Sequence, residues 1–301
     1  MKMQNRSRIC LILSAAVMVI ALVMSLTGHG INYGIDFAGG LNIQYDMGAA
    51  FEQADVEEAL KNQGVMEYSI SISGENGRIA QIRIPTLNGE DEIQNLQNAL
   101  EAELSAKYPA MDTATATASY VGPIAGKVLV RNAVWSVVLA AALMLVYIAI
   151  RFDLSSGLAA VIGLLHDVLI MLSFMVILRS FVQMNSSFIA AMLTIVGYSI
   201  NNTIVIFDRI RENKRKAEAA DTDRDALVSA SVKECLGRTI NTTLTTLVTI
   251  VALYVLGVDA IREFSLPIIV GILAGVYSAN LINGYVWALL EGMLAKKAKK
   301  A

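Results

Sequence analysis

The stretch GLAAVIGLLHDVLIMLSFMVIL, Gly157–Leu178, decides how this chain folds. It runs for 22 residues without Lys, Arg or Glu, and its ionisable groups are the adjacent His166 and Asp167. At about 1.5 Å per residue, a helix of this length crosses the ~30 Å hydrocarbon core of a bilayer, whereas a surface helix of a soluble domain carries a charged face. Five more runs share the property on either side: Ile9–Thr27, Asn132–Ile150, Ser187–Phe207, Thr239–Leu256 and Ser265–Leu290. The whole chain agrees with its parts. Of 301 residues, 55% are hydrophobic and 17% charged, and the mean hydropathy is +0.55, which excludes an ordinary soluble enzyme. The reading is a polytopic α-helical membrane protein with six transmembrane helices.

Charge gives the orientation. The net charge of −2 offers no electrostatic reason for a nucleic-acid partner, and the basic residues gather beside the apolar runs. Lys2, Arg6 and Arg8 precede the first run, eight Lys or Arg lie between Arg209 and Arg238, and Lys296, Lys297, Lys299 and Lys300 close the chain. The positive-inside rule places these three groups in the cytoplasm, so both termini face inward. Residues 28–127, with five Lys or Arg against fourteen Asp or Glu, then fall outside. The expected division is 1–27 for the inner flank and first helix, 28–127 for an extracytoplasmic domain, 128–290 for a five-helix membrane domain and 291–301 for a basic tail. The first run exceeds the apolar core of a signal peptide and no A-x-A site follows it, so it reads as a retained anchor. Cys10 and Cys235 are too few and too far apart for a disulfide framework or a thiolate metal site.

Residues 28–127 carry the pattern of a folded domain. Leu41–Tyr45, Tyr68–Ser73, Arg78–Ile84 and Thr113–Tyr120 are strand-length runs that alternate or are rich in β-formers. Two helices are predicted, Glu52–Asn62 and Asp91–Lys107. In the second, Ile93, Leu96, Leu100 and Leu104 make one apolar stripe for a sheet. Gly74-Glu75-Asn76-Gly77 reads as a hairpin turn. The order β-α-β-β-α-β is that of an α+β ferredoxin-like domain between helices 1 and 2.

No catalytic motif is found: there is no G-x-S-x-G, H-E-x-x-H or phosphate-binding loop, and His29 and His166 are far apart. Neither an enzyme nor a bound cofactor or metal is expected. What stands out is polarity inside the spans, where an aspartate costs about 2.5–3.5 kcal/mol at mid-helix. His166 and Asp167 sit ~15 Å along the third span, too deep to snorkel. They read either as a titratable relay that couples protonation to conformation or as a satisfied pair locking helices. On the fourth span Tyr198, Ser199, Asn201, Asn202 and Thr203 form a polar patch. On the fifth, Arg238, Thr242, Thr245 and Thr249 lie along one face. The two patches are expected to meet with Asn202 and Thr242 at similar depth, as ion path or as interhelical glue. Gly271 and Gly275, with Ser278, form a small-residue face for close helix packing. The charged segment from Asp208 to Arg238 reads as an interfacial amphipathic stretch.

In chain order, Gly34-Ile35-Asp36-Phe37-Ala38-Gly39-Gly40, Val121-Gly122-Pro123, Arg151-Phe152, His166-Asp167 and the run from Gly197 to Asn213 resemble the bacterial SecD/SecF family of the resistance-nodulation-division superfamily. The ordered set covers essentially the whole chain. The resemblance implies a complex with SecD, beside the SecYEG channel and the SecA motor, in the bacterial inner membrane. There the pair uses the proton or sodium gradient to help complete preprotein export. It also implies that His166, Asp167, Asn201, Asn202, Arg238 and Thr242 belong to the ion-coupling region. Gly34, Asp36, Gly39, Gly40, Gly122 and Pro123 would form a conformational motif, with Gly34–Gly40 as a hinge, as a contact with preprotein or SecD, or as tight turns. A passive scaffold for SecD and a half-transporter of small molecules or lipids are the alternatives. Many relatives carry Asn-Asp where this chain has Asn201-Asn202, and an amide cannot carry a proton near neutral pH. One of Asp167, an intramembrane carboxylate of SecD and a sodium site of Asn202 and Thr oxygens is then expected to take that part.

Overall fold

The protein is described from a computed structural model over residues 3–85, 90–180, 182–217 and 223–298. Lys2, Lys299 and Lys300 of the basic flanks lie outside the described residues. The chain forms two compact units, Tyr33–Ala133 and Met1–Asn32 with Val134–Ala301.

The smaller unit is an α+β domain. After a single helical turn, α2 (Ile35–Ala38), the chain runs through β1 (Gly40–Asp46), α3 (Gln53–Asn62), β2 (Ser69–Ser73), β3 (Ile79–Ile84), α4 (Glu90–Lys107) and β4 (Asp112–Val121). The sheet order β2-β3-β1-β4, antiparallel throughout, is the ferredoxin-like arrangement expected from the sequence. Alternation sends Leu41, Ile43 and Tyr45 of β1 and Ala80, Ile82 and Ile84 of β3 to one face. The two helices cover that face with Val56, Ala59 and Leu60 from α3 and the stripe Ile93, Leu96, Leu100 and Leu104 from α4. Each Val, Leu or Ile among them, when fully buried, contributes roughly 1.5–3 kcal/mol. The hairpin between β2 and β3 turns at Gly74, Asn76 and Gly77, all at positive φ.

The larger unit is helical: α1 (Met3–Leu26), most of α5 (Pro123–Arg151), α6 (Leu154–Ile177), α7 (Ser186–Ala217), α8 (Arg224–Leu256), α9 (Asp259–Ser278) and α10 (Gly284–Ala298). Among the described residues, six stretches are long and apolar enough to cross a membrane, the sixth running from Ile261 through Leu294. Span three (α6), span four (α7) and the sixth bury 56, 50 and 61% of their apolar windows, whereas α1, α5 and α8 bury 11, 0 and 11%. Polar side chains on α6, α7 and the sixth span therefore need partners inside the protein.

Two features were not expected. The charged segment after Phe207 is no separate interfacial stretch, because α7 continues to Ala217 and α8 begins at Arg224. A hydropathy window stops at the first charges, but a helix continues while its backbone bonds and ion pairs hold. Here Arg209 bridges Glu212 and Glu234, and Lys214 reaches Glu291 at 2.6 Å. The sixth span is also interrupted, since Ala279–Asn283 forms a π-helical turn between α9 and α10.

Candidate functional site

Small residues bring the spans together around the polar core. A Cβ on Gly271 would lie 2.4 Å from Ile195 Cγ1, so α7 and α9 approach closer than any side chain would allow. One turn on, Gly275 lies against Ser199, with a Cβ position 3.2 Å from its Cα. The expected packing face thus lies between the fourth and sixth spans, and its third member, Ser278, turns out to bond a carboxylate.

That carboxylate is Asp167, fully buried. Its Oδ1 lies 2.9 Å from His166 Nδ1, while its Oδ2 accepts hydrogen bonds from Ser199 of α7 and, at 2.9 Å, from Ser278 of α9. His166 Nε2 lies 2.8 Å from Ser14 Oγ on α1. Its ring stacks on Tyr277, with centroids 6.2 Å apart, and the Tyr277 hydroxyl donates to the Cys10 carbonyl at 2.7 Å. Four spans meet on one acid–imidazole pair.

The chemistry follows from the partners. A hydroxyl donates and accepts, so Ser14 satisfies His166 Nε2 whether that nitrogen is bare or protonated. Ionised Asp167 is met by donors on both oxygens; a proton taken up on Oδ2 would turn one serine away. Ser278 has a second acceptor ready, the Gly275 carbonyl at 3.2 Å. Rotation of the Ser278 hydroxyl exchanges one acceptor for the other.

A second polar layer lies nearby. Asn283, at the end of the π turn, donates to Thr203 Oγ1 at 2.9 Å, and its amide occupies the space a Cβ on Gly163 would take, 2.3 Å from Oδ1. Asn202 is buried with its Nδ2 unpartnered, as is Asn283 Oδ1. Thr239 Oγ1 bonds Asn280 Oδ1 at 3.2 Å.

The expected meeting of Asn202 with Thr242 takes another form. Consecutive residues diverge by about 100° on a helix, so Asn202 turns inward and Asn201 outward, where it lines a groove with Tyr147 and Leu143 of α5. The contact to α8 comes from Tyr198, whose hydroxyl donates to the Thr242 carbonyl at 3.2 Å. The Thr242, Thr245 and Thr249 hydroxyls bond carbonyls of their own helix, and the stripe, with Arg238, is exposed. Ser199 of the fourth-span patch joins the core, together with Ser14 and Tyr277, which the sequence reading does not name; a serine and a tyrosine at mid-span are the available signal.

The glycine motif lies in the smaller unit. Gly39 and Gly40 have φ of 79° and 117°, and a Cβ on Gly40 would lie 2.4 Å from the Ile84 carbonyl oxygen. Gly34, at φ −70°, needs no such freedom. Asp36 sits in the α2 turn, against which α5 starts: a Cβ on Gly126 would come within 3.0 Å of the Phe37 carbonyl oxygen. Gly40 pairs with Val121 across β1 and β4, so the Gly34–Gly40 and Val121-Gly122-Pro123 segments, remote in sequence, are neighbours.

Residues 101–293 match the family described as protein export membrane protein SecD/SecF, C-terminal, and residues 25–48 match the SecD/SecF GG motif. The chain belongs to the SecD/SecF family. It is 35% identical over 289 residues to the protein translocase subunit SecF of Thermodesulfovibrio yellowstonii, covering 95% of this chain and 93% of that one. It is 33% identical to the protein translocase subunit SecDF of Bacillus subtilis, covering 95% of this chain but 37% of that longer protein. A crystal structure of SecDF, a translocon-associated membrane protein from Thermus thermophilus, superposes with a TM-score of 0.81 at 32% identity over 96% of this chain and 38% of that one.

Proposed function

We propose that the chain is a SecF-type, non-catalytic subunit of the Sec protein-export machinery that works with SecD. The reading is supported by the SecF and SecDF relatives and by the exposed polar stripe of α8, Arg238, Thr242, Thr245 and Thr249. The Arg238 guanidinium on that face is costly against lipid and cheap against a polar partner helix, whereas the threonine hydroxyls are already bonded to their own helix. With both termini in the cytoplasm, the α+β domain stands outside the membrane, where an emerging preprotein would meet it after SecYEG and SecA have begun its passage.

The observation that carries the mechanism is the buried Asp167–His166 pair with serine hydroxyls donated from α1, α7 and α9. A proton entering this cluster changes which hydroxyl faces the carboxylate, and those hydroxyls belong to different spans. Protonation on one side of the membrane and release on the other would thereby bias how the spans pack. One charge moved through 100 mV is worth about 2.3 kcal/mol, enough to shift a two-state equilibrium about fiftyfold.

The test is preprotein export into vesicles containing this chain, SecD, SecYEG and SecA, under a proton gradient, a sodium gradient or none. A gradient should stimulate export by the wild type and not by Asp167→Asn. Gradient stimulation that survives in Asp167→Asn removes the pair from coupling, and equal export by the wild type under all three conditions leaves a scaffold for SecD.

A further inference from the structure

Apart from the hydrogen-bonded acid–imidazole core, a second group of polar side chains, not all of them satisfied, lies at the charged end of the helices. Arg209, Arg211, Lys214 and Lys216 all find carboxylates. Arg6 of α1 and Lys233 of α8 do not: among the described residues neither has an ion-pair partner. Both line one cavity of about 360 Å³ between α1, α8 and the π turn. Ser7 and Ser229 also line it. Ser7 is only 1% exposed, and its hydroxyl is buried with no hydrogen-bond partner. A buried orphan hydroxyl costs roughly 1–3 kcal/mol and lasts where something supplies the missing bond.

We infer that this cavity binds a phosphate monoanion or diester, with Arg6 and Lys233 neutralising it and the buried Ser7 hydroxyl rotating into the cavity to donate to one of its oxygens. The remaining wall indicates where the phosphate comes from. Val232, Leu236 and Leu281 continue it with apolar surface, and Leu236 is 39% exposed. A soluble phosphate has no use for that surface, whereas the glycerol and upper acyl carbons of an anionic phospholipid would cover it. The level suits a headgroup: Arg6 lies in the first turn of α1, and Lys233 precedes the apolar part of α8 that starts near Thr239. Basic pockets between membrane helices at this depth are where anionic headgroups are held. The inference rests on these helices lying in a bilayer and not on the coupling role of Asp167.

The test is native mass spectrometry of the full-length chain in detergent, titrated with phosphatidylglycerol, with phosphatidylcholine and with inorganic phosphate. The wild type should retain phosphatidylglycerol in preference to phosphatidylcholine. Arg6→Gln and Lys233→Gln should each weaken that retention about fivefold, and Ser7→Ala should weaken it less, while Arg215→Gln should leave it unchanged. Because Arg6 and Lys233 are exposed and unpaired, their variants should keep the wild-type thermal midpoint. Inorganic phosphate that binds alone or displaces the lipid would mark a soluble anion as the ligand and overturn the lipid assignment. Equal retention of both lipids, or equal loss in Arg215→Gln, would overturn the site itself.

Discussion

Ser278 Oγ stands 2.9 Å from Asp167 Oδ2 and 3.2 Å from the Gly275 carbonyl oxygen, so one hydroxyl on the sixth span chooses between a carboxylate on the third span and its own helix. Ser278→Ala removes that choice. Leaving a buried hydrogen-bonding group short of a partner costs about 1–3 kcal/mol, so the variant should lower the thermal midpoint of the purified chain. In Asp167→Asn the same serine substitution should cost clearly less, and equal costs in both backgrounds would show that the hydroxyl does not serve the carboxylate.

The approach of α7 to α9 depends on Gly271. Gly271→Ala puts a methyl group 2.4 Å from Ile195 Cγ1, and forced overpacking of this kind costs typically 1–3 kcal/mol. Ile195→Ala, which alone leaves a cavity, removes the clash in the same chain, so the double variant should lose less than the sum of the two single variants. Detergent-solubilised thermal unfolding of the two single variants and the double variant checks this, and additive losses would contradict it.

Gly40 opens β1 at φ 117°, where a side chain is strained and its Cβ would strike the Ile84 carbonyl oxygen at 2.4 Å. Gly40→Ala should therefore loosen the pairing of β1 with β3, by more than about 1–3 kcal/mol from backbone strain alone. Hydrogen exchange along Gly40–Asp46 and Ile79–Ile84 should accelerate while exchange in α6 does not change. Gly34→Ala, at an ordinary φ, should leave both alone.

Between α3 and α4, Lys107 holds Asp55 at 2.8 Å, and the Tyr108 hydroxyl donates to the same carboxylate. The Lys107 hydrogen bond first, then that of Tyr108, lowers the Asp55 pKa from its ordinary 3.8. A lowered carboxylate pKa means stability fully present above 3.8 and lost as pH falls through the lower folded value. Protection of α3 amides, corrected for intrinsic exchange, should therefore drop on acidification below that range, and the drop should be smaller in Asp55→Asn.

The α+β domain was legible because its signals are local: alternation in β1 and β3, a stripe at helical spacing in α4 and a glycine turn each fit within a dozen residues. The spans were legible from their lengths. The polar core was half legible, since His166 and Asp167 announce themselves by cost, but their partners lie 152, 32 and 111 residues away in sequence. A serine in a membrane helix looks the same whether it bonds its own backbone, as Ser173 does to Leu169, or a distant carboxylate. Asn201 and Asn202 were read as one patch because adjacency hides the rotation that turns one outward and the other inward. The helical extension of α8 ahead of Thr239 was hidden by charge, which lowers hydropathy without lowering helix propensity.

The π turn at Ala279–Asn283 gives the sixth span one residue more than a regular helix of its length would need. Surplus of this kind can be handed from one turn to the next, with each step exchanging a single backbone bond. A step of one residue advances the helix by about 1.5 Å and swings it through about 100°. Beyond this turn lie Tyr285, whose hydroxyl accepts from Arg8, and Glu291, which holds Ser155 and Lys214. Ser278 and Asn283, at its two ends, are the residues that reach Asp167 and Thr203. The span thus resembles a ratchet with one loose tooth, set between the buried acid and the ion pairs at its far end.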